Sequence, residues 1–260
     1  MPYDWGDKRL SGQLLQGRNI VITGAGSANG IGRATAKLFA AHGARIAALD
    51  IDEGGALETA ALIGSEHLGL ACDVASEDRC HSAIDSVLRT FGRIDVLVNN
   101  AAIAKGTRIA DVTPSEYDLV HDINLRGTFF MSQAVLPSMR AARSGNIVCL
   151  ASVAGQRGGG LYGSAHYAAS KGGVIGLSKA MARELAPDGI RVNTVSPSLI
   201  KTDGSPNDSP ERRAQFEKDI PLGRSGTVWE VAGAILFVVS DLSGYVTGAT
   251  IDVNGGFHMS

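Results

Sequence analysis

Asn19-Ile20-Val21-Ile22-Thr23-Gly24-Ala25-Gly26-Ser27-Ala28-Asn29-Gly30-Ile31-Gly32 is the stretch on which the fold turns. After Asn19 its opening run is β-branched and predicts a buried strand over 19–23. Beyond Gly30, the apolar residues Ile31, Ala34, Leu38 and Phe39 recur at helical spacing and predict a helix over 30–42. The glycines between the two permit a sharp turn and let an anionic group approach the backbone. The free N–H groups and positive dipole end of the following helix favour a phosphate at that point. A glycine cluster alone also serves an ordinary turn. Here a strand precedes it, a helix follows it, and the next apolar run, Ala44 to Leu49, ends in the acid Asp50. That combination favours a phosphate cradle.

Working outward, a helix near 54–62 leads to a strand near 67–72. Ser76 with Glu77 and Asp78 opens a further helix carrying Ala83, Ile84, Val87 and Leu88, and Ile94 to Val98 is a fourth strand. The alternation continues with a helix over 114–139, a strand at 146–150, a helix over 166–185, a strand at 191–195, a helix over 228–240 and a strand at 249–253. Strands of this kind between helices imply a parallel sheet covered on both faces, with right-handed crossovers. Residues 1–17 read as a polar arm. Residues 201–222 are polar with three prolines and read as a long loop of the kind that forms lids over bound small molecules. No linker divides the chain, so one domain over 1–260 is expected.

Composition narrows the classes. Twenty-four basic against 26 acidic residues give a net charge of −2, which offers nothing to nucleic acid or an anionic membrane surface. The longest apolar run, Val231 to Val239, is nine residues, well short of the roughly 20 that span a bilayer. The first residues, MPYDWGDKRLSG, lack an apolar h-region, so no secretory signal is expected. Cys72, Cys80 and Cys149 form no CxxC pair, which fits the reducing cytoplasm. The six histidines show no metal-ligand spacing, so no metal is expected. Phe129, Phe130 and Met131 read as core or subunit contact, Cys149 as inert core, and His166 as packed or solvated in preference to lining a pocket.

Two further features carry chemistry. A carboxylate at Asp50 can accept hydrogen bonds from adenosine ribose hydroxyls and repels a 2′-phosphate. Asn29, before Gly30, brings no compensating charge, so NAD is expected over NADP; the competing reading makes Asp50 a cap for the helix near Asp52. Asp73 reads as holding an adenine edge, again with a helix cap as alternative. In Tyr167-Ala168-Ala169-Ser170-Lys171, a helix puts Tyr167 and Lys171 on one face. Lowering a phenol from about 10 to about 7 needs roughly 4 kcal/mol. One positive charge about 4 Å away supplies about 4 kcal/mol at an effective dielectric near 20. Lys171 is therefore expected to do most of that shift, with an oxidised nicotinamide adding to it.

These residues stand in one order with Asn99-Asn100-Ala101, Ser152, Arg191-Val192-Asn193, Pro197 to Thr202 and the tail Gly244 to Gly256. On that pattern the sequence resembles the short-chain dehydrogenase/reductase family over about residues 17–257. The resemblance implies a doubly wound Rossmann-type α/β fold with a parallel seven-stranded sheet. It implies Asn124, Ser152, Tyr167 and Lys171 as catalytic residues: Tyr167 exchanging a proton with the substrate oxygen, Ser152 orienting that oxygen, Lys171 tuning the phenol and holding the nicotinamide ribose, and Asn124 supporting a proton relay. It places the dinucleotide against Gly24, Asn29, Gly30, Ile31, Asp50, Ile51, Asp73, Val74, Asn100, Tyr167, Lys171, Ile200 and Thr202. The activity implied interconverts a secondary alcohol and a ketone on a small-molecule substrate, with a polyol favoured by the polar Gln156, Arg157, Ser164 and His166. The alternatives are an NADP-dependent 3-oxoacyl-type ketoreductase and a non-catalytic dinucleotide sensor. A homo-oligomer, a tetramer through the long helices and the C-terminal segment, is also implied.

The sequence departs from the family pattern in four places. Five residues separate Gly24 from Gly30, two more than usual, which leaves open which amides meet the phosphates. Ala102 and Ser198 stand where glycines are usual. Ser152 and Tyr167 are 15 residues apart, about two more than usual, with Gly158, Gly159 and Gly160 absorbing the difference. Ser164 is a rival serine. Tyr162 is a rival tyrosine, but His166 stands four residues beyond it where a lysine would be needed.

Overall fold

The central strands are buried on both faces, and this fixes the architecture. In the computed structural model, which describes residues 12–159, 164–202 and 209–259, seven strands form one parallel sheet in the order β3-β2-β1-β4-β5-β6-β9. They are β1 (Asn19–Thr23), β2 (Arg45–Asp50), β3 (Leu68–Ala71), β4 (Val96–Asn99), β5 (Gly145–Leu150), β6 (Ile190–Pro197) and β9 (Thr250–Val253). Successive side chains alternate between two cores, as strand geometry requires. Val21, Leu97 and Ile147 face α3 (Glu77–Phe91), α5 (Gly127–Ala142) and α7 (Ala165–Leu185). Ile20, Ile22, Val96, Val98 and Val148 face α1 (Ile31–Ala41) and α9 (Val228–Val239). Helix α2 (Glu53–Ile63) packs beside α1.

The strand order reverses between β1 and β4. Chains leaving the carboxyl ends of these two strands diverge, and the crevice between them is where open α/β sheets bind ligands. The seven-stranded parallel sheet expected from the sequence is therefore present, and its switch point lies beside the glycine stretch.

Two regions differ from the sequence reading. The helix expected over 114–139 is α4 (Pro114–His121) and α5 joined by a π-helical turn at Asp122–Arg126. Such a turn accommodates one extra residue without breaking the helix, so the apolar period on either side does not reveal it. The segment 201–222 is not a plain loop. It holds part of β7 (Ile200–Lys201), which pairs with β8 (Gly226–Thr227), and α8 (Pro210–Glu217), capped by the Ser209 side chain. A further short helix, α6 (Val153–Arg157), follows β5 directly.

The last long helix starts with a complete capping box. Thr227 accepts from the Glu230 amide, and the Glu230 carboxylate accepts from the Thr227 amide at 2.8 Å. Arg224 reaches the same carboxylate at 2.6 Å and holds its pKa down to about 2 from an ordinary 4.5. A depressed carboxyl contributes stability above its unfolded value and loses it as pH falls through the folded one, so this cap weakens between about pH 4.5 and 2. Thr227→Ala is expected to lower stability by about 1 kcal/mol at neutral pH, read as a shift in the guanidinium midpoint. An unshifted midpoint contradicts this account of the α9 start.

Candidate active site

The glycine stretch leaves β1 at the switch point and is fixed from three sides. Gly24 takes a φ of +66°, and a Cβ there would lie 2.7 Å from the Ala101 Cα. At Gly26 a Cβ would lie 2.8 Å from the Asp50 carboxyl carbon, because the Gly26 amide donates to Asp50 Oδ2 at 2.7 Å. Asn100, after β4, donates from its side chain to the Thr23 and Gly24 carbonyls, each at 2.9 Å. Helix α1 begins at Gly30 with no side-chain cap, which leaves its first amides for an anion.

Arg33 lies within α1 and is 3% exposed. Its guanidinium donates to the Gly26 carbonyl at 2.6 Å and the Gly55 carbonyl at 3.2 Å, and it pairs with Glu58 at 2.8 Å. Thr59 donates to the Ala25 carbonyl at 2.6 Å. Neither residue was singled out from the sequence. An arginine between apolar positions 31 and 34 was the only signal for it, since a charge beside a buried stripe needs a partner.

Asp50 closes β2 half-buried. Besides Gly26 it accepts from the Asp52 amide at 3.1 Å; α2 begins beyond Asp52 with no side-chain cap, so Asp50 does not cap it, and its carboxylate binds the glycine stretch. Ile51, beside it, is 74% exposed, an apolar surface at the edge of the crevice. Asp73 accepts from the Ala75 amide at 3.0 Å in the turn before α3, while the helix cap named as its alternative is made by Ser76, and Val74 is buried. Asn29 is exposed in the loop, and Ile31 opens α1 partly covered. Ile200, in β7, and Thr202 are half-buried beyond the end of β6.

The second cluster sits at the carboxyl end of β5. Lys171 is 3% exposed and donates to the Leu150 carbonyl at 2.7 Å. Burial, its largest influence, pulls its pKa from 10.5 to about 8. Ser152, two residues past Leu150, caps α6 by accepting from the Ala154 amide at 3.1 Å. Tyr167 stands one turn before Lys171 in α7 and is half-buried. Burial pushes its phenol above the ordinary 10, and a hydrogen bond with Ser152 draws it back down. The expectation that Lys171 does most of the lowering is thus corrected for the chain alone: burial dominates, and the ammonium is held by the Leu150 carbonyl.

Asn124 lies in the π-helical turn, 1% exposed. Its amide exchanges two hydrogen bonds with the Ile103 backbone, each 2.9 Å, and donates to Ser170 Oγ at 3.0 Å. Ser170 in turn donates to the Tyr167 carbonyl at 2.8 Å. The turn thereby ties the segment after β4 to the helix that carries Tyr167 and Lys171.

Other expected pocket residues are engaged elsewhere. Gln156 bridges Ser196 at 2.6 Å and Asp252 at 2.9 Å. Arg157 lies 4.0 Å over the Phe257 ring and donates to the Phe257 carbonyl at 3.0 Å. The rival Ser164 hydroxyl meets His166 and Lys105, and His166 is buried, the packed reading given for it. Tyr162 and Gly160 lie outside the described residues, as do 1–11 of the polar arm and 203–208 of the expected loop.

Residues 24–258 match the family described as Enoyl-(Acyl carrier protein) reductase. An uncharacterized short-chain type dehydrogenase/reductase, y4mP, from Sinorhizobium fredii is 49% identical over 94% of this chain and 98% of its own. The 3-oxoacyl-[acyl-carrier-protein] reductase FabG of Escherichia coli is 38% identical over 94% of this chain and 99% of its own. A crystal structure from Brucella melitensis, described as short-chain dehydrogenase/reductase SDR:Glucose/ribitol dehydrogenase, superposes with a TM-score of 0.88 at 36% identity, covering 95% of this chain and 99% of that one. The chain belongs to the short-chain dehydrogenase/reductase family of oxidoreductases, which use nicotinamide dinucleotides. The structure fits such a group on its own terms, through a cradle that Cβ atoms would fill, an uncapped helix start and the Asp50 carboxylate beside that cradle. No helix among the described residues is long and apolar enough to cross a membrane.

A buried ammonium with a depressed pKa favours the unfolded state below its unfolded value. Stability from this group therefore rises with pH from about 8 to 10.5. Lys171→Met is expected to raise the thermal midpoint at pH 7, remove that rise and abolish turnover. A lowered midpoint at pH 7 shows that the Leu150 bond outweighs desolvation and contradicts the assignment.

Proposed function

We infer that the protein interconverts a secondary alcohol and a ketone, with NAD preferred over NADP. One observation carries the reading: Lys171 and Ser152 stand at the end of β5 with the Tyr167 phenol at Ser152, and Asn124 braces the same helix through Ser170. When bound, the nicotinamide accepts or supplies the hydride. Tyr167 Oη takes the proton from the substrate hydroxyl or returns it to the carbonyl oxygen. Ser152 Oγ, already within hydrogen-bonding range of that phenol, orients the same oxygen. Lys171 keeps a cation beneath the phenol and holds the nicotinamide ribose. Asn124 and Ser170 fix the helix turn that carries both groups. Gly24, Asn29, Gly30 and Ile31 would line the pyrophosphate, Asp50 and Ile51 the adenosine ribose, Asp73 and Val74 the adenine, and Asn100, Ile200 and Thr202 the nicotinamide half.

Asp50 supports NAD: its carboxylate, beside the cradle, would face the adenosine ribose, and Arg33, which grips the same loop, is committed to the Gly26 and Gly55 carbonyls and to Glu58. A polyol or another small hydroxylated molecule remains the favoured substrate, supported by the likeness to the Brucella melitensis protein described as a glucose/ribitol dehydrogenase. The names of the 3-oxoacyl reductases at about two-fifths identity support the second reading, an NADP-dependent ketoreductase. Exposed Tyr117, Leu119 and Phe129 on α4 and α5, with Trp229 and Phe237 on α9, support closure of a homotetramer over apolar faces. Three buried free cysteines suit a cytoplasmic setting.

A single assay series tests the reading. Initial rates are measured with NAD and NADP on ribitol, cyclohexanol and 3-hydroxybutyrate, and with NADH and NADPH on ethyl acetoacetate. Turnover with NAD or NADH, reduced about a thousandfold or more in Tyr167→Phe, is expected, as is a loss of cofactor discrimination in Asp50→Ala. Strong NADP preference moves the assignment to the ketoreductase. Dinucleotide binding without turnover across the panel moves it to a sensor.

A further inference from the structure

The first turn of α7 holds a buried imidazole that the roles above do not use. His166 precedes Tyr167 and is 3% exposed. Its Nδ1 lies 2.9 Å from Ser164 Oγ, and its Nε2 lies 3.2 Å from Glu116 Oε1 on α4. Ser164 occupies the position before α7 where a serine ordinarily accepts from first-turn amides, yet it makes no such bond. Its hydroxyl faces His166 and the Lys105 carbonyl, the latter at 3.3 Å, and its amide donates to that carbonyl at 3.2 Å. Glu116 Oε1 and His166 Nε2 are both buried with no hydrogen-bond partner among the described residues, so their 3.2 Å approach is the contact each has to offset its burial.

The geometry points to His166 as a positioning residue for Tyr167, tying the start of α7 at once to α4 and to the segment after β4. This rests on the reading of Tyr167 as the acid/base. Tyr167 then stands between two anchors on one helix: the Lys171 bond to Leu150 on one side and the His166 contacts on the other. Without the second anchor, the phenol rides on a helix start that the Ser164 side chain does not cap, the part of a helix that frays first. Reacting groups misplaced by about an ångström lose up to about a hundredfold in rate, so a residue that never touches substrate still governs kcat.

The test uses the full chain with His166→Ala, His166→Gln, Glu116→Ala and Tyr167→Phe. Kinetics use whichever alcohol of the panel above turns over fastest. Hydrogen exchange at amides 165–168, followed without ligand, reads the helix start independently of turnover. His166→Ala is expected to lower kcat by about tenfold or more while NADH affinity by fluorescence stays within about twofold. Exchange at 165–168 should rise by about tenfold with the C-terminal half of α7 unchanged. His166→Gln, which keeps a polar N–H group facing Glu116, should recover most of kcat, and Glu116→Ala should reproduce the loss, which decides the matter if His166→Ala does not fold. Unchanged exchange and kcat in folded His166→Ala or Glu116→Ala overturn the proposal, as does a loss confined to the thermal midpoint or to NADH affinity. Full turnover in Tyr167→Phe overturns the acid/base reading and this proposal with it; an inactive Tyr167→Phe beside a fully active His166→Ala overturns this proposal alone.

Discussion

A single buried ammonium held by one carbonyl organises the reactive end of the sheet. Lys171 Nζ bonds the Leu150 oxygen, and that one contact fixes α7 against the last residue of β5. Ser152 follows two residues later and Tyr167 lies one turn earlier, so both inherit their places from it. Taking a cation out of water is costly unless it is paired or hydrogen-bonded, and here a neutral carbonyl holds it. The depressed pKa of Lys171 records that cost. Such a group weakens the fold at neutral pH and makes sense as a charge held ready for the phenol beside it.

The cofactor side rests on a different device. The loop between β1 and α1 carries two more residues than its relatives commonly show, and extra length alone would loosen it. Asp50 holds its Gly26 amide, Arg33 its Gly26 carbonyl, Thr59 its Ala25 carbonyl and Asn100 the carbonyls at its start. Both signs of charge grip one peptide stretch, which pre-shapes the backbone for a phosphate. Asp50 thereby serves two ends, since the carboxylate that would select the ribose also shapes the loop.

Most of the fold was legible because its signal is periodic. Buried parallel strands read as short apolar runs, and the amphipathic helices between them read as three-to-four spacing. The strand order and the crevice follow once the alternation is recognised. What escaped was aperiodic or tertiary. The π-helical turn hides one extra residue inside an unbroken helical pattern, so Asn124 could be placed from a resemblance but not from spacing. Helix α8 sits in a polar segment whose stability comes from the Ser209 cap, the Glu217 bonds to Ser225 and the Phe216–Phe257 contact. Gln156 and Arg157 looked like pocket lining because they are polar and near Ser152. Their partners, Asp252 and Phe257, lie about a hundred residues further along, where no local rule reaches.

The charge balance at Tyr167 is where sequence arithmetic and structure part. A cation one helical turn away is attractive on paper, but burial acts on the same phenol with opposite sign and prevails in the chain alone. On the proposed reading, a bound oxidised nicotinamide would supply the further positive charge that makes this phenol acidic. Phenolate absorbance, taken as the difference between wild type and Tyr167→Phe across pH with and without saturating NAD, measures this balance directly. The account predicts titration above about pH 10 without NAD and below about pH 9 with it. A phenol that stays protonated past about pH 9 with NAD bound contradicts the account.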